Sequence, residues 1–129
     1  MGFSTLVGYT VLSQEEGRCE MQLALEDKHL NGAGRTHGGA LMALLDVAGG
    51  LAGQDKSGKQ QGFTVSLTTN FLAASKTGDI LRAIGTKTGG GKSIWFSKME
   101  ILNQNNVKIA EAIGTYKYIH SLSKPPLTP

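Results

Sequence analysis

NGAGRTHGGALMALLD, from Asn31 to Asp46, joins a glycine-rich loop to a dense apolar run that ends on an acid. From Gly38 to about Gln54 the apolar residues leave no polar stripe, which predicts a helix buried nearly all round. The pair Thr36–His37 lies where a helix cap is expected, directly before this run. A carboxylate inside such a helix needs an explanation, because core helices rarely carry an unpaired acid.

Alternating apolar residues predict several strands around this helix. A further piece, Leu6 to Leu12, fits either a strand or a short helix. One helix followed by an antiparallel meander predicts an α+β architecture, in which a curved sheet wraps the helix. The predicted strands are Cys19–Leu25, Thr64–Leu72, Asp79–Thr88, Ser93–Leu102 and Val107–His120.

The length, composition and net charge of the chain are those of one ordinary globular domain. The chain has 129 residues, 40% of them hydrophobic and 18% charged, with a net charge of +3. Residues 1–120 are expected to form a single domain, and residues 121–129, which hold all three prolines, a disordered tail. Scattered basic residues argue against nucleic acid as a partner, and the apolar run is too short to span a membrane. A lone Cys19 and the lack of a signal-peptide pattern predict a cytoplasmic protein.

The quoted stretch combines groups that suit acyl chemistry. The first N–H groups of a helix lack intrahelical partners, so Gly38 is a candidate oxyanion donor. Asn31 supplies a second donor or caps the loop. Asp46 is a candidate base or nucleophile, or else a hydrogen-bonded core acid. His37 fits a helix cap as well as a catalytic role.

The spacing of these groups predicts a homodimer. Eight residues separate Gly38 from Asp46, so at about 1.5 Å per residue they lie roughly 12 Å apart along the helix. One small reacting group cannot touch both in the same chain. If both are catalytic, the active site is shared across an interface between two copies.

The pattern N-x5-HGG-x6-D, from Asn31 to Asp46, resembles the hotdog-fold acyl-CoA thioesterases of the phenylacetate-degradation type. The later block TVSLTTNFLAASKTGDIL and the GGGKS turn are also similar to that family, although alanine replaces its usual turn proline at Ala73 or Ala74. The resemblance implies a hotdog fold and hydrolysis of an acyl- or aryl-CoA thioester by a dimer or a tetramer of dimers. It assigns water activation or nucleophilic attack to Asp46, and carbonyl polarisation to Gly38 and Asn31. It also implies that His37 assists and that Ser66 orients water.

Coenzyme A enters as part of the substrate, so no cofactor is expected. Gly39 and the turn residues Gly91, Lys92 and Ser93 are candidate substrate-binding residues. The GKS sequence is not a P-loop, because Thr86 occupies the first glycine position and a strand pattern follows. The histidines lack metal-ligand spacing, so no metal site is predicted. A hotdog hydratase or dehydratase and a non-catalytic acyl-CoA binding module are the alternatives.

Overall fold

The computed structural model describes residues 2–57 and 60–119. Its elements are α1 (Phe3–Val7), β1 (Thr10–Glu15), β2 (Arg18–Ala24), α2 (Gly38–Ala52), β3 (Gly62–Phe71), β4 (Ile80–Gly90), β5 (Ile94–Leu102) and β6 (Lys108–Tyr118). A 3-10 turn, Asp27–His29, precedes the loop that leads to α2. The α+β prediction is confirmed, with one long helix beside an antiparallel sheet.

The chain termini differ from the sequence prediction. The N-terminal piece forms both a short helix and a strand, because Gly8 adopts a positive φ of 86° and turns the chain from α1 into β1. The predicted last strand reaches only Tyr118. His120 and the predicted tail, residues 121–129, lie outside the described residues.

The sheet is not a simple meander. Its strand order is β1-β2-β4-β5-β6-β3, and every neighbouring pair is antiparallel. The helix α2 crosses the face of the sheet between β2 and β3 and touches all six strands. Because α2 crosses the sheet, β3 lies at the opposite edge of the sheet, beside β6, and not next to β4. One long edge of β3 is left without a partner strand in the described part of the chain.

The core lies between α2 and the inner face of the sheet. Leu44, Leu45 and Ala48 are fully buried there. Gly85 allows this close approach, because a side chain at that position would collide with the backbone carbonyl of Ala48. The expectation of a helix buried nearly all round is wrong for a single chain, since Met42 is 39% exposed.

Side chains of the sheet also hold the C-terminal half of α2. Trp95 Nε1 and Ser97 Oγ donate to the carbonyl of Gly49, at 3.2 and 2.8 Å. The Tyr118 hydroxyl donates to the carbonyl of Gly53 at 2.8 Å. The last carbonyls of a helix lack intrahelical partners, so these bonds satisfy groups near the helix end and fix its rotation on the sheet. The direction of every side chain on α2 follows from that rotation.

Candidate active site

The N-terminus of α2 presents one backbone donor. His37 caps the helix, and its Nδ1 accepts a hydrogen bond from Gly39 N–H at 2.8 Å. The Gly39 N–H is thus committed to the cap, which weakens its predicted role in substrate binding. In the described part of the chain, Gly38 N–H donates to no other residue. It lies at the positive end of the helix dipole, where an oxyanion is stabilised.

Asn31 braces the loop before α2. Its Oδ1 accepts from the N–H groups of Ala33 and Arg35, at 2.9 and 3.2 Å. Of the two roles predicted for Asn31, the structure therefore shows the loop cap. Among the described residues the Nδ2 group of the same amide donates to none, so this donor is available to a ligand.

A depression of about 470 Å³ opens beside Gly38. Asn31 and Arg35 line one side of it, and Phe71 lines the other. The Phe71 ring is so close that a Cβ on Gly38 would lie 3.4 Å from its Cζ atom. The loop is held by buried Ser75, whose hydroxyl donates to the Thr36 hydroxyl at 2.7 Å.

Asp46 lies two turns further along α2 and has two hydroxyl partners. The Thr64 hydroxyl donates to its Oδ1 at 2.5 Å. The Tyr116 hydroxyl donates to its backbone carbonyl at 2.9 Å. Burial, and next the negative charge of Asp46, raise the pKa of Tyr116 well above its ordinary value. Tyr116 therefore stays protonated and keeps its donor role at physiological pH.

The hydroxyl beside the acid belongs to Thr64, not to Ser66. A bulge at Val65 shifts the β3–β6 register between these residues, so that Thr64 pairs with Tyr116 and Ser66 with the next residue back, Thr115. Ser66 thus lies on the outer face of the sheet, in a depression shared with Thr115. Simple alternation would put both hydroxyls on one face, so it could not show that Thr64 reaches the acid instead of the Ser66 that the resemblance implied.

The turn residues predicted to bind substrate lie elsewhere. Gly91, Lys92 and Ser93 connect β4 to β5, and Gly91 N–H donates to the carbonyl of Ile94 at 2.8 Å. This confirms a hairpin turn followed by a strand, not a P-loop followed by a helix. None of the three lines the depression at Gly38 or the one at Asp46.

The two candidate catalytic groups occupy separate depressions. Asp46 lines a smaller one, of about 190 Å³, with Gly50, Phe63 and Thr64. Among the described residues, this depression shares no lining residue with the one at Gly38. One chain thus presents an acid at one place and an oxyanion donor at another.

Residues 2–57 and 60–119 contain no group of three or more His, Cys, Asp or Glu side chains placed to hold a metal ion. They also contain no helix of the length and apolarity needed to cross a membrane.

Comparison with known proteins identifies the family. The model of the thioesterase superfamily matches residues 33–110. An Archaeoglobus fulgidus protein described as a candidate esterase is 30% identical over 85% of this chain and 70% of its own length. The acyl-coenzyme A thioesterase PaaI of Escherichia coli is 28% identical over 81% of this chain and 73% of its own.

Solved structures share the fold. The E. coli PaaI structure superposes with a TM-score of 0.83 at 28% identity, over 90% of this chain and 83% of that one. A thioesterase of Streptococcus pneumoniae, solved with coenzyme A, gives a TM-score of 0.80 at 26% identity, over 87% and 86% of the two chains. Variants of that protein with a threonine or an aspartate replaced by alanine have also been solved. The chain therefore belongs to the thioesterase superfamily and is a thioester hydrolase with the hotdog fold.

Proposed function

We propose that this protein is a cytoplasmic acyl-CoA thioesterase that hydrolyses an acyl- or aryl-CoA to the free acid and coenzyme A. The observation that carries the proposal is the separation of the Gly38 N–H from the Asp46 carboxylate on one helix. A site that uses both takes each from a different subunit. The coenzyme A seen in the pneumococcal structure supports the substrate class.

The reaction follows from the groups that the two subunits bring together. The Asp46 carboxylate takes a proton from water, and the water oxygen attacks the thioester carbonyl carbon. The partner subunit's Gly38 N–H, with the Nδ2 of Asn31, stabilises the developing oxyanion. When the C–S bond breaks, the thiolate of coenzyme A leaves and takes the proton from Asp46. Thr64 positions the carboxylate through its bond to Oδ1.

The unpaired edge of β3 supports a dimer. This strand is ten residues long, and proteins rarely leave so long an edge uncovered, since it invites pairing with another chain. Phe63, Val65 and Phe71 on it are 51–55% exposed. We propose that a second copy pairs along β3, giving a dimer that is the unit of assembly, alone or within a tetramer of dimers.

The exposed part of α2 supports the same arrangement. Met42 and Asp46 are four residues apart, so they lie on one face of the helix. Met42 is 39% exposed, and the bond from Thr64 ties that face to the β3 side of the sheet. A partner pairing along β3 would also meet this face. The acid would then be covered by the subunit whose substrate it attacks.

Two further sets of residues are proposed to contact the substrate. Coenzyme A carries phosphates, and the β4–β5 turn with Gly91, Lys92 and Ser93 includes a cationic side chain and a hydroxyl. We propose that it binds the nucleotide or pantetheine arm in the assembled protein. We also propose that His37 assists, its Nδ1 holding the cap while Nε2 faces the carbonyl site.

Two single substitutions test the catalytic groups. Asp46→Asn keeps the shape of the side chain and removes the base, so kcat should fall roughly 10²- to 10⁴-fold. Gly38→Pro removes the N–H at the first helical position, where proline is tolerated. The preceding residue, His37, already has ψ at 133°, which suits a residue before proline. Loss of that donor should cost roughly 10²- to 10³-fold in kcat.

Gly38→Ala is the matched control, because it keeps the N–H and its Cβ meets the Phe71 ring at an ordinary 3.4 Å. Thiol release from a panel of acyl-CoAs measures all three variants. Full activity of Asp46→Asn on the best substrate would end the assignment, as would equal losses in Gly38→Pro and Gly38→Ala.

Mixing two inactive variants tests whether the site is shared. In a heterodimer of Asp46→Asn and Gly38→Pro, one site combines both substitutions and the other has neither. Unfolding and refolding an equal mixture should therefore restore roughly a quarter of wild-type activity. A site within one chain predicts no recovery above the two parents.

Single turnover in H₂¹⁸O separates base from nucleophile. If Asp46 attacks the carbonyl, water opens the resulting anhydride and the label enters the Asp46 carboxylate. If it acts as a base, the label enters only the product acid.

A further inference from the structure

Gly49 and Gly50 lie in the last turns of α2, where glycine weakens a helix relative to alanine, and a third glycine, Gly53, caps its C-terminus. Core packing explains two of them. A side chain at Gly49 would collide with the Tyr116 hydroxyl and the Met99 sulfur, and one at Gly53 with the Trp95 indole. These positions must be glycine if the helix is to rest on the sheet.

Gly50 is different. A Cβ built there meets the Tyr116 ring at 3.5 and 3.8 Å and Gln54 Nε2 at 3.9 Å, which are ordinary van der Waals contacts. Its helical backbone allows any L-residue. Neither strain nor packing within the chain requires glycine at position 50, so the reason for it lies in the space that the missing side chain leaves.

That space belongs to the depression beside Asp46. Gly50, Gln54 and Tyr116 all line it, so a Cβ on Gly50 would stand inside it. Asp46, Gly50 and Gln54 are spaced at four-residue intervals and therefore follow one face of the helix. The depression thus extends from the catalytic acid toward the C-terminal end of α2.

On the basis of the proposed function, we infer that this depression holds the acyl group and that Gly50 sets the size of the group it admits. On one subunit it is an open depression of about 190 Å³, which a second subunit would cover. Val47, Leu51 and Phe63 supply an apolar wall, and the Tyr116 ring supplies a flat one.

The test is a comparison of substrates across size variants. Gly50→Ala and Gly50→Val are assayed by thiol release with acetyl- and phenylacetyl-CoA. One extra methyl in such a pocket should lower kcat/KM for phenylacetyl-CoA roughly 10-fold, with a larger loss for valine. Activity on acetyl-CoA should fall less than that on phenylacetyl-CoA, since the small group leaves the added methyl room. Gly89→Ala is the matched control, because a Cβ there meets nothing within 4 Å.

Two further measurements decide the inference. The Tm of Gly50→Ala should equal or exceed that of the wild type, and sedimentation should show an unchanged assembly. A fall in Tm, dissociation of the oligomer, or equal losses on acetyl- and phenylacetyl-CoA would each overturn the role of Gly50. If the wild type releases no thiol from any acyl-CoA, the proposed function itself is refuted. That result differs from those that overturn only the role of Gly50.

Discussion

The hydrogen bond from Thr64 to Asp46 yields the sharpest prediction. The Thr64 hydroxyl donates to Asp46 Oδ1 at 2.5 Å, and a bond to a charged acceptor contributes about 1.5–3 kcal/mol. If this bond orients the carboxylate in the transition state, its loss in Thr64→Val lowers kcat by roughly 10- to 150-fold, at about 1.36 kcal/mol per factor of ten. Valine keeps the β-branched shape that β3 favours, so KM and folding should change little.

Two matched variants accompany Thr64→Val in steady-state assays of thiol release. Thr64→Ser keeps the hydroxyl and should recover activity to within a few-fold of the wild type. Ser66→Ala removes the hydroxyl on the outer face and should change kcat less than about 2-fold, because the Val65 bulge turns it away from the acid. A large loss in Ser66→Ala with little change in Thr64→Val would refute the assignment and return the role to Ser66.

Three further predictions concern protonation. Burial raises the pKa of Cys19 to about 11 from 9.0, so its thiol should resist Ellman's reagent at pH 8 until the protein unfolds. As the pH of thermal melts rises from 9 to 11, the Tm of Cys19→Ala should fall less than that of the wild type. Tyr116→Phe should lower the free energy of unfolding by about 1 kcal/mol and kcat several-fold. The difference in free energy of unfolding between this variant and the wild type should narrow above pH 10, because the raised pKa of Tyr116 then begins to disfavour the folded wild type. Hydrogen bonds, first from Gln104 and then from the backbone, lower the pKa of Asp79. In urea titrations at pH 7, Asp79→Asn should therefore be less stable than the wild type by about 0.5 kcal/mol. This difference should disappear as the pH falls below 3.8, where the carboxylate becomes protonated.

Sequence reasoning succeeded where one local signal dominates. The apolar run after HGG predicts α2, which begins at Gly38 as expected. Period-2 alternation located five strands to within a few residues, because each has one face on the core. The spacing of Gly38 and Asp46 along a helix of known rise was enough to separate the two groups in space. Each of these follows from the geometry of a single element.

The features that sequence reasoning missed depend on how elements meet. The bulge at Val65 changes which hydroxyl reaches Asp46, and no residue in TVSLTTNF marks it. The position of β3 at the sheet edge depends on the path of α2 across the sheet. The difference between Gly50 and its neighbour Gly49 depends on where Tyr116 and Met99 reach the helix. None of these three arrangements can be predicted from the local periodicity of the sequence.

The anchoring of α2 explains how a helix that carries an acid can also serve as the core. Its N-terminus is held by the His37 cap, and its C-terminal carbonyls are held by Trp95 and Tyr118. With both ends fixed, the face that carries Met42 and Asp46 is left uncovered on the side toward β3. A second copy that pairs along β3 would bury apolar surface and complete the site in one step. Assembly and catalysis should then be lost together, so activity per subunit should fall on dilution at the concentration where the dimer dissociates.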